Sequence, residues 1–135
     1  MAIAQTVTNA FKTGLMNGSF NFATDTFYIA LYTSLATLNE NTTEYTSNNE
    51  VVAAGYAPQP VTVSSTPTNQ NNITYVTFNN VSWTSALTAR GALIYKTGSN
   101  GAVCVLDFGS DKTSTATFTV QMPANTSTSA LIRIV

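Results

Sequence analysis

A chain of 135 residues with five basic and six acidic side chains, no histidine and a single cysteine excludes several chemistries at once. Nucleic-acid binding needs clustered Lys and Arg to displace counterions from phosphates, whereas Lys12, Arg90, Lys96, Lys112 and Arg133 stand singly in a chain of net charge −1. Internal disulfides and zinc sites built from Cys and His are ruled out by count.

The first seventeen residues read as a helix with one apolar face. Ile3, Val7, Phe11 and Leu15 recur every four positions, with Ala10 and Gly14 in the same stripe, and Asn17-Gly18 ends it. Such a helix usually packs on its own sheet. The alternative is docking on another subunit, which makes Ile3, Val7 and Phe11 candidate partner contacts.

From Asp25 the period changes to two. In Thr26-Phe27-Tyr28-Ile29-Ala30-Leu31-Tyr32, Phe27, Ile29 and Leu31 share one face and Tyr28 and Tyr32 the other, which predicts a strand covered on both sides. Residues 34–49, rich in Thr, Asn and Glu, are expected to form a long exposed connection, with residues 42–46 as a short edge strand. Gly55-Tyr56-Ala57-Pro58-Gln59-Pro60 should interrupt regular pairing, because proline cannot donate to a ladder. Tyr45, Tyr56 and Pro58 are further candidate contacts. Tyr56, beside a glycine and two prolines, is expected to be exposed, and Trp83 buried.

The second half reads as a series of short strands. Residues 73–79 alternate, with Val76 and Phe78 on one face and Ile73 and Tyr75 on the other, and Val81 and Trp83 continue the first set. Residues 89–95 and 102–108 flank Gly98-Ser99-Asn100-Gly101, whose Asn-Gly pair predicts a hairpin. Cys104 lies in the second of these runs and reads as a small buried hydrophobe. Residues 116–122 alternate around Phe118, Val120 and Met122, and residues 130–135 give a last strand. The expected fold is mainly β: one domain spanning 1–135, with an N-terminal amphipathic helix over 1–17 and an antiparallel sandwich or barrel of jelly-roll type over 25–135.

The search for chemistry yields little. Without histidine the usual general base is missing, and Cys104 has no partner to activate it. Six carboxylates remain, at Asp25, Glu40, Glu44, Glu50, Asp107 and Asp111. A glycosidase needs only two, but Asp107 and Asp111 bracket Phe108-Gly109-Ser110 in an expected turn, where Asp caps local backbone. The acidic residues lack the spacing of a calcium loop. We therefore expect no catalytic residues, no cofactor and no metal.

Two further readings concern placement. No apolar run reaches membrane-spanning length and the N-terminus lacks the pattern of a signal peptide, so synthesis in a cytoplasm and no membrane partner are expected. Thr, Ser and Asn make up roughly a third or more of the chain while only 8% is charged, about a third of the usual charged fraction. Such a surface meets a neighbouring protein without desolvating many ions, which suits a permanent assembly.

Nearly the whole chain resembles a group of small virion proteins of tailed bacteriophages. The residues that carry the resemblance are Phe11-Lys12 with Leu15 and Gly18, Asn21-Phe22, Asp25-Thr26-Phe27-Tyr28-Ile29-Ala30-Leu31-Tyr32-Thr33-Ser34, Ala36-Thr37-Leu38, Asn49-Glu50-Val51 and Gly55-Tyr56. They continue with Thr88-Ala89-Arg90-Gly91-Ala92-Leu93-Ile94-Tyr95, Val105-Leu106-Asp107-Phe108-Gly109-Ser110-Asp111-Lys112-Thr113-Ser114 and Ala130-Leu131-Ile132-Arg133-Ile134. Where members are glycine-rich after Gly-Tyr, this chain carries Ala57-Pro58-Gln59-Pro60. The resemblance implies a structural component of the virion. Within it, the favoured place is a capsid decoration or cement protein on the head shell, partnered by the major capsid protein and by copies of itself, with a trimer favoured. A tail, neck or host-adsorption component is the alternative, and a particle-associated carbohydrate-active enzyme a remote one.

Overall fold

The computed structural model describes residues 2–135, and 39% of the chain is strand against 7% helix. The N-terminal segment holds the first surprise. Ile3 makes a parallel bridge to Leu38, and a short strand β1 (Thr6–Val7) pairs antiparallel with a distant strand before the helix begins. The helix α1 therefore covers only Asn9–Asn17, about half of the expected span, and Ile3 and Val7 lie outside it. Met1, included in that expectation, lies outside the described residues. The physical reason is Thr8. Its extended backbone puts its hydroxyl where it accepts from the Phe11 N–H at 3.0 Å while donating to the Ala102 carbonyl at 2.9 Å. A capping residue tied to a strand fixes the helix start and leaves the β-branched residues before it to the sheet. Gly18, at φ 80°, closes the other end as expected.

The remaining elements in chain order are β2 (Phe27–Tyr32), β3 (Gln59–Val61), β4 (Thr68–Gln70), β5 (Ile73–Val76), β6 (Val81–Trp83), β7 (Thr88–Tyr95), β8 (Ala102–Thr113), β9 (Phe118–Val120) and β10 (Ile132–Ile134). They form a five-stranded sheet in the order β1-β8-β7-β2-β3, a three-stranded sheet β10-β5-β4 and the pair β6-β9, every pairing antiparallel. Pro60 is accommodated in β3 because that strand is an edge. Asn71 and Asn72, at φ 55° and 64°, make the tight link between β4 and β5.

The large sheet is buried on both faces, as the pattern of β2 requires. Phe27, Ile29 and Leu31 join Ala92 and Ile94 of β7 and Cys104 and Leu106 of β8 in the main core, which Val76, Trp83, Phe118 and Ile132 close from the smaller sheets. Sheets packed across one shared core make a sandwich. On the reverse face Ala30, Tyr32, Leu93, Tyr95 and Val105 form a second cluster. Its cover is the connection after β2, expected to be exposed. Ala36 and Leu38 are each only 1% exposed and Tyr45 packs beside them, and no strand forms over residues 42–46. Most polar residues of this segment face outward while Ala36, Leu38 and Tyr45 seal the sheet, and Leu35 stays exposed.

The expected hairpin joins β7 and β8, but its second strand runs to Thr113 rather than ending near Phe108. No turn forms at Asp107 and Asp111. Instead Ala89 pairs with Lys112 while Gly91, two positions on, pairs with Asp107, so residues 108–111 bulge out of the strand. Gly109 at φ 83° permits the bend.

Candidate functional site

A polar cluster is centred on Glu50, which pairs with Tyr32 of β2 through an isolated bridge and joins Tyr45 of the reverse face to Tyr56 on the main-core side. One carboxylate oxygen accepts from the Tyr45 hydroxyl at 2.5 Å and the other from the Tyr56 hydroxyl at 2.5 Å. The Tyr56 oxygen also accepts from the Leu31 N–H at 2.8 Å. That contact comes just past the point where β3 stops pairing with β2, so a side chain completes the ladder there. The Tyr32 hydroxyl donates to the Thr46 carbonyl at 2.7 Å, holding the same connection from below. Tyr45 stacks on Tyr95 at 4.9 Å, and Tyr95 on Tyr28 at 5.9 Å. On the other side Tyr56 leans on Trp83, whose indole N–H donates to the Ala57 carbonyl at 2.7 Å.

The electrostatics of this cluster favour neutral phenols. Burial first, and then the hydrogen bond to the Glu50 carboxylate, push the Tyr56 and Tyr45 hydroxyls far above their ordinary range. Burial and the charge of Glu50 do the same for Tyr32 and push Tyr95 up to about 12. Phenols held protonated against a carboxylate with both oxygens engaged fasten the connection to the sheet.

The other carboxylates fall into two groups. Asp25 accepts from the Asn21 N–H at 2.8 Å and pairs with Lys96 at 3.0 Å; partial burial raises its carboxyl, and these two contacts outweigh it and hold it below the usual range. One oxygen of Asp107 accepts from the Gly109 N–H at 2.8 Å and pairs with Arg90 at 3.2 Å; the backbone contact and the guanidinium hold its carboxyl low and pin the bulge. Glu40, Glu44 and Asp111 are exposed. Among the described residues no group of three or more His, Cys, Asp or Glu is placed to hold a metal ion, and no helix is long and apolar enough to cross a membrane. Cys104 is buried, which pushes its thiol up to about 12.

The six candidate contacts are not one surface. Ile3 and Phe11 are 9% and 1% exposed, on opposite faces of the large sheet, so both are core residues and unavailable to a partner. Val7 is half-buried in β1. Tyr45 and Tyr56 do come together, but through Glu50 and with their hydroxyls turned inward, so the expected exposure of Tyr56 is corrected to a half-buried, bonded side chain. Pro58 is half-buried close by in sequence. The role of Glu50 had no local signal, since an isolated Glu in a polar stretch looks like a solvated charge. Comparison with protein-family models, with curated proteins and with solved structures finds no match to this chain.

Proposed function

We propose that the chain is a structural protein of a tailed-phage particle, placed most favourably as a decoration or cement protein on the head shell. The observation that carries this reading is the scarcity of free charge on the surface. Of five basic and six acidic side chains, Lys96 pairs with Asp25, Arg90 with Asp107, and Glu50 is taken up by two tyrosines. What remains outside is mostly Ser, Thr and Asn, with singly placed charges at Lys12, Glu40, Glu44, Asp111, Lys112 and Arg133 and a few large apolar side chains, among them Met16 and Val52 at 91% and 97% exposure and Leu35. A surface of this kind attaches through apolar and hydrogen-bonded contacts that salt hardly screens. It suits stable seating on a capsid protein or on further copies of the chain, with a trimer preferred from the resemblance.

The test is quantitative mass spectrometry of purified particles of the encoding phage, with heads and tails separated, followed by washing of heads in low and high salt. A decoration protein is expected at a copy number approaching that of the major capsid protein and retained at high salt. A few copies confined to tails would move the chain to the tail, neck or adsorption reading. Absence from particles would overturn both.

A further inference from the structure

We propose that the groove between α1 and the β7–β8 hairpin loop is a binding site for a neutral oligosaccharide. The groove holds about 590 Å³, within the roughly 300–1,000 Å³ of ligand sites. One wall is a polar stripe on the helix: Asn9, Thr13 and Asn17 follow one another at four-residue intervals and so share a face. The opposite wall is Ser99 and Asn100 at the hairpin tip, with Asn100 at φ 59°. Ala10, with only a methyl group, and Gly14 complete the helix side of the lining. Gly14 is required: a Cβ there would stand 2.4 Å from the ring of Phe20.

The character of the ligand follows from the lining. Lys96 is the one charged residue in it, and its ammonium is already engaged by Asp25 at 3.0 Å and by the Ser19 carbonyl, while lying 4.5 Å from the centre of the Phe20 ring. That compensation offsets the attraction for an anion. No carboxylate lines it, so no negative side chain there would balance the charge of a bound cation. What it offers is neutral: hydroxyls and side-chain amides, of which those of Thr13, Ser99 and Asn100 make no hydrogen bond to the described residues. A primary amide presents a donor and an acceptor side by side, the spacing of two adjacent sugar hydroxyls, and each hydroxyl side chain can both give and accept. The inference does not depend on the particle reading above, because it rests on this lining alone.

Exposed neutral hydrogen bonds displace water at little net gain, so binding should be weak, with a Kd on the order of 1 mM. The experiment titrates the 15N-labelled full chain with maltotriose, cellotriose and tri-N-acetylchitotriose, each to about 20 mM so that such a site would saturate. Saturable amide shifts centred on Thr13, Asn17, Ser99 and Asn100 with at least one of the three are expected. The double variant Thr13→Val, Ser99→Ala, whose positions are exposed, should keep a native spectrum and weaken binding about fivefold or more. Ser110→Ala, on the β8 bulge, should leave it unchanged. No saturable shift with any of the three sugars, shifts centred elsewhere, or binding indifferent to the double variant would overturn the proposal.

Discussion

Tyr56 shows how much a single hydroxyl can hold. It donates to Glu50 and receives the Leu31 N–H, and Leu31 is fully buried. Removing that oxygen strands a backbone donor inside the protein, which costs about 1–3 kcal/mol. Tyr56→Phe should therefore lower stability by that amount in urea denaturation, whereas Tyr45→Phe, which loses only one bond to the same carboxylate, should cost less. Equal losses would mean that the Leu31 contact contributes nothing. From the sequence Tyr56 was expected to be an exposed partner contact, not a bonded side chain holding the sheet. Its direction was not legible, because Gly-Tyr followed by two prolines looks like an exposed loop until Leu31 and Glu50 are seen on either side of it.

Among the elements, β7 and β8 carry the least predictable feature. The Asn-Gly turn announces the hairpin, but the bulge at residues 108–111 arises where Arg90 and Asp107 meet across the pair, a contact between side chains seventeen positions apart. Gly91 sits beside it. A Cβ there would lie 2.5 Å from the Leu106 carbonyl oxygen and 2.9 Å from a methyl carbon of Ile3. Gly91→Ala reduces unfolded-chain entropy by about 0.4–1 kcal/mol in its favour, but forced overpacking costs about 1–3 kcal/mol. A net loss of about 1 kcal/mol or more is expected in thermal or urea unfolding, and a stabilised variant would show that Ile3 and the strand yield freely. The helix teaches the same point. Its four-residue stripe extends back to Ile3, but the Thr8 hydroxyl is committed to both Phe11 and Ala102, and that long-range bond stops the helix at Asn9.

For the whole molecule, the tyrosines around Glu50 link stability to alkaline pH. Tyr32, Tyr45 and Tyr56 have folded pKa values raised above the unfolded value of about 10. A group whose proton is held more tightly in the fold contributes fully below the unfolded pKa and loses that contribution as pH rises beyond it. Stability should thus be level from neutral pH to about 10 and fall above it, with tyrosinate absorbance from these phenols appearing together with unfolding. Tyr56→Phe should make the fall shallower. Full ionisation near pH 10 with the fold intact would contradict the arrangement around Glu50.

Sequence by itself determined the class of fold. The period of two in β2, the alternation in residues 73–79 and 116–122, the Asn-Gly hairpin signal and the Gly18 stop are local signals, because pleat, turn and cap geometry depend on neighbours in the chain. It also determined what the surface is made of, since composition needs no coordinates. Tertiary structure alone decided that residues 34–50 cover a sheet face, that Ile3 and Phe11 belong to opposite cores, that Glu50 gathers two tyrosines, and that a polar helix face meets a hairpin tip across a groove. Each of these joins residues tens of positions apart. Which polar group is buried, bonded or left facing water is set by the partner that arrives from elsewhere in the chain.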